Sequence, residues 1–286
     1  MAAGVTPRTD SKAGGFLLAL PAILWLGLFF LLPLVIVLVF SFLTRGQGNQ
    51  AVLPFTFAQY SRVFDTFWVV MQRSINVALI TTVICLIAGY PLAYFIVRRK
   101  TNLGKQFALF LVILPFWTNF LVRTYAWRVM LGQEGLINTT LMNAGLIKEP
   151  LALLNTEFAV ILGLVYGFLP FMVLPIYASL GRFDFRFIEA AQDLGANDFT
   201  AFLRIMLPIT LPGVVAGCML VFIPAVGTFV TSDLLGGTKG LMIGNLISAQ
   251  YKGSGNLPLG AALSIVMMGV VMLALLVYAR FGKEEG

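Results

Sequence analysis

The sequence predicts an all-α protein that crosses a membrane six times, with both termini on the cytoplasmic side. Three observations carry that reading. Hydrophobic residues make up 59% of the chain and charged residues 11%, against about half and about a quarter in a soluble domain. Six apolar runs, 16–42, 75–97, 107–130, 158–180, 209–230 and 258–279, each match a hydrocarbon core about 30 Å thick, which takes roughly 20 helical residues. None of them breaks into the short alternating segments of a transmembrane β-barrel.

The first run is close to twice the length of a signal-peptide core and ends in no small-residue cleavage site, so it reads as a retained helix. Residues 1–15 are polar and expected to be disordered. Residues 16–73 hold the first helix and an outer interfacial segment, 74–280 a core of five helices, and 281–286 a tail. In the outer segment Phe57, Tyr60, Phe64 and Phe67 recur at helical spacing, which predicts a short amphipathic helix on the membrane surface, with anchoring as its plainest use. The Arg98-Arg99-Lys100 cluster at the end of the second span sets the orientation. The net charge of +7 then belongs to membrane topology and not to nucleic acid. Cys85 and Cys218 fall inside spans, where a free thiol behaves as a small apolar group.

Prolines punctuate the later spans at Pro91, Pro115, Pro170, Pro175 and Pro224. Each removes a backbone donor and frees a carbonyl that neighbours or water must satisfy. Interrupted helices often line transport paths, although kinks are common in membrane helices generally.

Between the fourth and fifth spans, in a loop at 181–208, the chain turns amphipathic. Phe185, Ile188, Ala191 and Leu194 recur at three-residue steps and predict one apolar helical face. Ala190 and Ala191 keep that helix narrow enough for another surface to approach. Gly195 can take φ > 0 and end it. Asn197 is placed to cap a second helix with Asp198 in its first turn, and Pro208 is expected to stop that helix at the membrane. The simplest use for such a helix–turn–helix is to seal the cytoplasmic face.

This stretch resembles the EAA loop of ABC importer permeases: Glu-Ala-Ala, three residues, Gly, nine residues, then Ile-x-Leu-Pro. The matching positions are Glu189, Ala190, Ala191, Gly195, Ile205, Leu207 and Pro208, in the penultimate cytoplasmic loop where that family keeps the motif. The resemblance implies a coupling helix seated in a groove of an ATP-binding cassette subunit, with Glu189 in a charge-assisted contact to a basic group there. It further implies a bacterial inner-membrane location, a second homologous permease, two ATPase subunits and a periplasmic or lipid-anchored binding protein. The chain has no Gly-x4-Gly-Lys-Ser/Thr loop. ATP and Mg are accordingly expected on the partner ATPase, with no cofactor or metal on this chain and no catalysis by it.

Further segments resemble permeases of spermidine/putrescine importers: 114–127, 163–175, Ser232-Asp-Leu-Leu-Gly-Gly237, Leu241-Met-Ile-Gly-Asn245 and Pro258-Leu-Gly-Ala-Ala262. Relatives that carry iron or phosphonate share parts of these, so another small solute is the alternative cargo. A polycation's path should offer carboxylates and aromatic faces. Asp233 near the outer end of the fifth span, with Phe229, Trp117, Tyr125 and Tyr166, fits that chemistry; interface anchoring and helix packing would account for the same rings. Arg123 opposes it unless it snorkels to the headgroups or pairs with an acid such as Asp233 or Glu134.

Other classes fare worse. A secondary transporter needs midplane acids, and no span holds a central carboxylate. The absence of histidine removes the His-Glu-x-x-His metalloprotease pattern. A passive channel would leave the docking loop without a purpose.

Overall fold

The computed structural model describes residues 12–252 and 255–281. Its elements in chain order are α1 (Ala19–Ser41), the hairpin β1 (Leu43–Arg45) and β2 (Ala51–Phe55), α2 (Ala58–Asp65), α3 (Trp68–Val97), α4 (Asn102–Trp117), α5 (Phe120–Met130) and α6 (Leu136–Asn143). They continue with α7 (Glu157–Leu180), α8 (Arg186–Asp193), α9 (Asp198–Gly227), α10 (Ile243–Tyr251) and α11 (Leu257–Phe281). The fold is all-α apart from the two-stranded antiparallel hairpin, which the sequence reading did not anticipate. The first helix extends back to Lys12, into the stretch expected to be disordered. Residues 1–11 and most of the tail lie outside the described residues.

Among the described residues five helices, α1, α3, α7, α9 and α11, are long and apolar enough to cross a bilayer. The expected third span is different. Instead of one helix over 107–130, α4 and α5 meet at 88° across Thr118 and Asn119. The other predicted prolines sit inside continuous helices.

The central bundle is α3, α7 and α9 packed on one another. One core cluster fills the end near the 181–208 loop, from Tyr90, Ile96, Ile176 and Leu180 to Phe183 and Met206. A second fills the opposite end, from Val63 and Met71 to Ile243 and Leu263, beneath α2 and α10. Without a hydrophobic drive between lipid-immersed helices, close backbone approach supplies the attraction. At Gly217 an added Cβ would lie 2.8 Å from the Met172 sulfur, and at Gly213 2.7 Å from the Pro175 carbonyl. The predicted outer helix is α2; Tyr60 and Phe67 pack against the second cluster, while Phe57 and Phe64 stay exposed.

Pro208 does not end a helix. The Leu207 N–H reaches back five residues to the Phe202 carbonyl, so the backbone makes one wide turn over Phe202–Met206. That extra residue moves away the carbonyl that a proline ring would strike, and α9 runs on through Pro208 into the span.

Candidate coupling loop and transport path

The loop between α7 and α9 is built mainly from local signals. Asp184 accepts the Arg186 backbone N–H at 3.0 Å, and the Arg186 guanidinium bridges the same carboxylate at 2.8 Å. These hydrogen bonds from Arg186 hold the Asp184 carboxyl below the ordinary carboxylate range. α8 then carries Glu189 exposed, Ala190 exposed and Ala191 buried. Gly195 has φ +87°, a conformation that side chains with a Cβ disfavour, and turns the chain. The Asn197 side chain caps α9 by accepting from the Thr200 N–H at 2.7 Å. Of the predicted apolar face, Phe185 and Ile188 pack inward, but Leu194 is 90% exposed because the turn at Gly195 carries it off the bundle. Phe187 and Phe199 also stand exposed, so the outer surface of the loop carries apolar side chains among charged ones such as Glu189 and Asp193. Ile205 and Leu207 pack against the core beside Met206, and Pro208 is exposed on the first turns of α9.

What fixes this loop to the bundle is a stripe on α3 that the sequence reading missed. Tyr90 meets Phe202 edge-on at 5.3 Å, Tyr94 meets Phe185 at 6.2 Å, and the Arg98 guanidinium lies 5.5 Å from the same Phe185 ring. The Tyr90 hydroxyl also shares a 2.9 Å hydrogen bond with Thr210 inside α9. Residues 90, 94 and 98 are one helical face, four apart, and that spacing beside a basic cluster was the available signal. Together with Phe185, Glu189 and Asp198 they line a cavity of about 610 Å³.

At the bend of α4 and α5 the freed carbonyl is satisfied twice. The Thr118 hydroxyl donates to the Pro115 carbonyl at 2.8 Å and the Arg123 guanidinium donates to it at 2.7 Å. The Asn119 side chain restarts the helix by accepting from the Leu121 N–H at 2.8 Å. The Arg123 guanidinium also lies 5.7–5.8 Å from the rings of Phe116, Phe120 and Tyr166. Among the described residues Arg123 makes no ion pair with Asp233 or Glu134; its guanidinium staples the bend. A cavity of about 270 Å³ opens there, lined by Thr118, Arg123, Gly163, Phe171 and Thr231 among others.

The predicted path residues do not form one cluster. Tyr166 stacks edge-on with Trp127 at 5.5 Å, beside Arg123. Trp117 is 77% exposed and touches only the Phe110 ring among the described aromatics. Tyr125 is exposed with no aromatic partner among the described residues. The Phe229 ring is half exposed, while its carbonyl accepts from Asn245 at 3.0 Å. Asp233 is exposed on a wide turn, Ser232–Gly236, that packs against α5 and α7. Its neighbours are structural. Buried Ser232 donates to the Asn245 side-chain oxygen at 2.7 Å, and Gly237 (φ +51°) lies against Asn155 where a Cβ would clash.

Membrane-spanning helices joined at one end by a braced, protruding helix–turn–helix define a permease subunit of an ABC transporter. The chain belongs to the family of spermidine/putrescine transport system permease proteins. It is 45% identical over 260 residues to protein PotB of Haemophilus influenzae, covering 91% of both chains. It is 30% identical to the inner membrane ABC transporter permease protein YdcU of Escherichia coli, covering 95% of this chain and 91% of that one. The fold is also that of a solved bacterial alginate ABC transporter in complex with an alginate pentasaccharide-bound periplasmic protein, with TM-score 0.71, 19% identity and 94% coverage of each chain. No protein-family model matches. The chain is thus a multi-pass inner-membrane subunit that is not itself a catalyst.

Proposed function

We propose that this permease forms, with a second homologous permease, the path by which spermidine or putrescine is taken up in alternating access. In this reading the bent pair α4–α5 counts as one span, which gives six crossings and both termini in the cytoplasm. Two ATP-binding cassette subunits dock on α8 and its turn, with Glu189 reaching a basic group of the partner and the exposed Phe187, Leu194 and Phe199 filling its groove. ATP and Mg stay on those subunits. A periplasmic or lipid-anchored binding protein delivers the polyamine. The observation that carries the reading is the loop itself. Its outer face carries exposed Phe187, Leu194 and Phe199, while rings from α3 grip both its arms, so a displacement of α8 moves α3 and α9 together.

For the cargo, Asp233 supplies a carboxylate, and Trp117, Tyr125, Tyr166 and Phe229 supply aromatic faces that suit a flexible polycation. A second reading, the same machinery carrying an anion such as a phosphonate, draws on Arg123 at the bend cavity. The deciding experiment measures ATPase stimulation of the assembled complex by binding protein loaded with spermidine, putrescine or ferric iron. Stimulation by the polyamines, lost in Glu189→Arg together with recovery of the ATPase in a pull-down, is the expected result. Stimulation by iron alone would overturn the cargo, and retained uptake without any ATPase would overturn the machine.

A further inference from the structure

α3 and α4 diverge from the basic cluster and leave a groove between them. One wall is Leu92, Phe95, Ile96 and Arg99 of α3 and its end; the other is Thr101, Gly104, Phe107, Ala108, Leu111, Val112 and Pro115. Both sets step by three and four residues, so each is a single helical stripe. Tyr166, Leu169 and Pro170 of α7 close the back. The volume is about 590 Å³ and the lining is almost wholly apolar. From Thr101 to Pro115 it runs on the order of 20 Å along the helix, at about 1.5 Å per residue. At its mouth it opens into a second cavity of about 460 Å³, lined by Phe95, Arg98, Arg99, Lys100 and Thr101. The two cavities share Phe95, Arg99 and Thr101.

Every charged side chain lining either cavity is cationic. The contrast with the other side of the same helix end is sharp. There Arg98 shares its cavity with Glu189 and Asp198. Arg99 lies with its guanidinium 3.9 Å from the Phe95 ring, held at the junction of the apolar groove and the cationic cup. Because these residues end a spanning helix, the cup sits at headgroup depth on the side of the coupling loop.

We infer that this composite cavity binds one anionic phospholipid, its phosphate at Arg99 and Lys100 in the cup and one acyl chain along the α3–α4 groove. A basic cluster between helices at the membrane surface is the expected recognition chemistry for such a headgroup. The groove's length and apolar lining take a fatty chain without leaving a polar group unpaired. An occupied groove would brace α4, whose far end is the bend at Thr118, against α3, which carries the coupling rings.

The test uses the full chain in its assembled transporter, exchanged into detergent holding equal amounts of phosphatidylglycerol and phosphatidylcholine with matched acyl chains. Lipid retained after stepwise delipidation is counted by native mass spectrometry. The wild type is expected to keep one phosphatidylglycerol per copy of this chain in preference to phosphatidylcholine. Arg99→Gln/Lys100→Gln should lower that preference roughly thirtyfold, since each basic group near an anionic lipid contributes about a factor of five. Both residues are exposed, so this variant should still assemble. Leu111→Trp, which fills the groove, should lower retention of both lipids, with assembly checked by size exclusion. A photo-crosslinking residue placed at Phe107 should yield a lipid adduct in the intact membrane. Equal retention of the two lipids, wild-type retention in both variants, or a protein adduct from Phe107 would each overturn the inference.

Discussion

The coupling loop and the bent third span are both breaks in helix, and they are stabilised by different kinds of contact. In the loop each break is resolved by a residue next to it: Gly195 supplies the left-handed turn, Asn197 the cap, and Asp184 the clamp on the first turn of α8. At the bend the cap on α5 is local, but the carbonyl left free by the break is met both by nearby Thr118 and by Arg123, eight residues away, whose guanidinium also lies beside Tyr166 of a different helix. A locally held break can project into water and move as one piece. A break held by a half-buried cation among three rings, one of them on α7, is tied to the bundle. The first suits a lever, and the second suits a wall.

That difference is sharpest at Arg123. Arg123→Met removes a charged donor from the Pro115 carbonyl and the cation from three rings. A charge-assisted hydrogen bond of this kind contributes about 1.5–3 kcal/mol, so the thermal midpoint of the purified complex should fall by roughly 5 °C. Arg123→Lys should recover only part of the loss, because an ammonium lacks the planar fork that serves carbonyl and rings at once. If Met and Arg melt together, the bend is held by something other than this staple.

Gly195 tests the opposite property. Nothing lies within 4 Å of an added Cβ there, so a substitution meets only backbone strain. Gly195→Val should make the turned loop about 5- to 30-fold less populated, from roughly 1–2 kcal/mol of left-handed strain, and uptake should fall accordingly. Gly195→Asn, which tolerates this conformation, should stay close to wild type. The helical content of both should be unchanged by circular dichroism. Loss of the bundle in Gly195→Val would mean that the loop is structural and not a separable lever.

These two regions also explain what could be read from the chain. The turn at Gly195 and the cap at Asn197 are signals a few residues wide, and five of the six apolar runs each fall on one continuous helix. The misreadings have longer-range causes. Pro208 looked like a stop because the relief for its ring, the wide turn over Phe202–Met206, leaves no mark in composition. The 88° bend was invisible because Pro115 resembles Pro91, Pro170 and Pro175, which do not break their helices. What separates it is a partner, Arg123, that had been assigned to headgroups or to an acid. Ser232 and Asn245 drew notice as part of a cargo-like pattern, and they prove to be buried hydrogen-bonding partners that organise the end of α9.

The stripe on α3 ties the loop to the bundle and predicts a smaller effect. Tyr90→Phe keeps the ring on Phe202 and loses the hydroxyl bond to Thr210, whose own hydroxyl remains satisfied by the Met206 carbonyl at 2.8 Å. About 1 kcal/mol is at stake. The midpoint should fall by about 2–4 °C, while substrate taken up per ATP hydrolysed should fall by more than stability alone explains. Unchanged stoichiometry would show that α3 does not transmit the motion of the loop.

The smallest effect belongs to Asp184, where both partners of the ion pair are fully exposed and solvent screens the charges. Its carboxyl is held below the ordinary value, so its contribution to the loop is complete above the unfolded-state value and is lost as pH falls through the folded one. Amide hydrogen exchange over residues 186–190 in the assembled complex should therefore show no change between neutral and mildly acidic pH. Below the normal carboxylate range it should quicken relative to the base line set by intrinsic rates. Asp184→Asn keeps an oxygen that can accept the Arg186 N–H but has no charge to titrate, so its profile should be flat across the same range. If the variant shows the same acid limb as wild type, the clamp is released by another group and the first turn of α8 is held by packing at Phe183 and Phe185 instead.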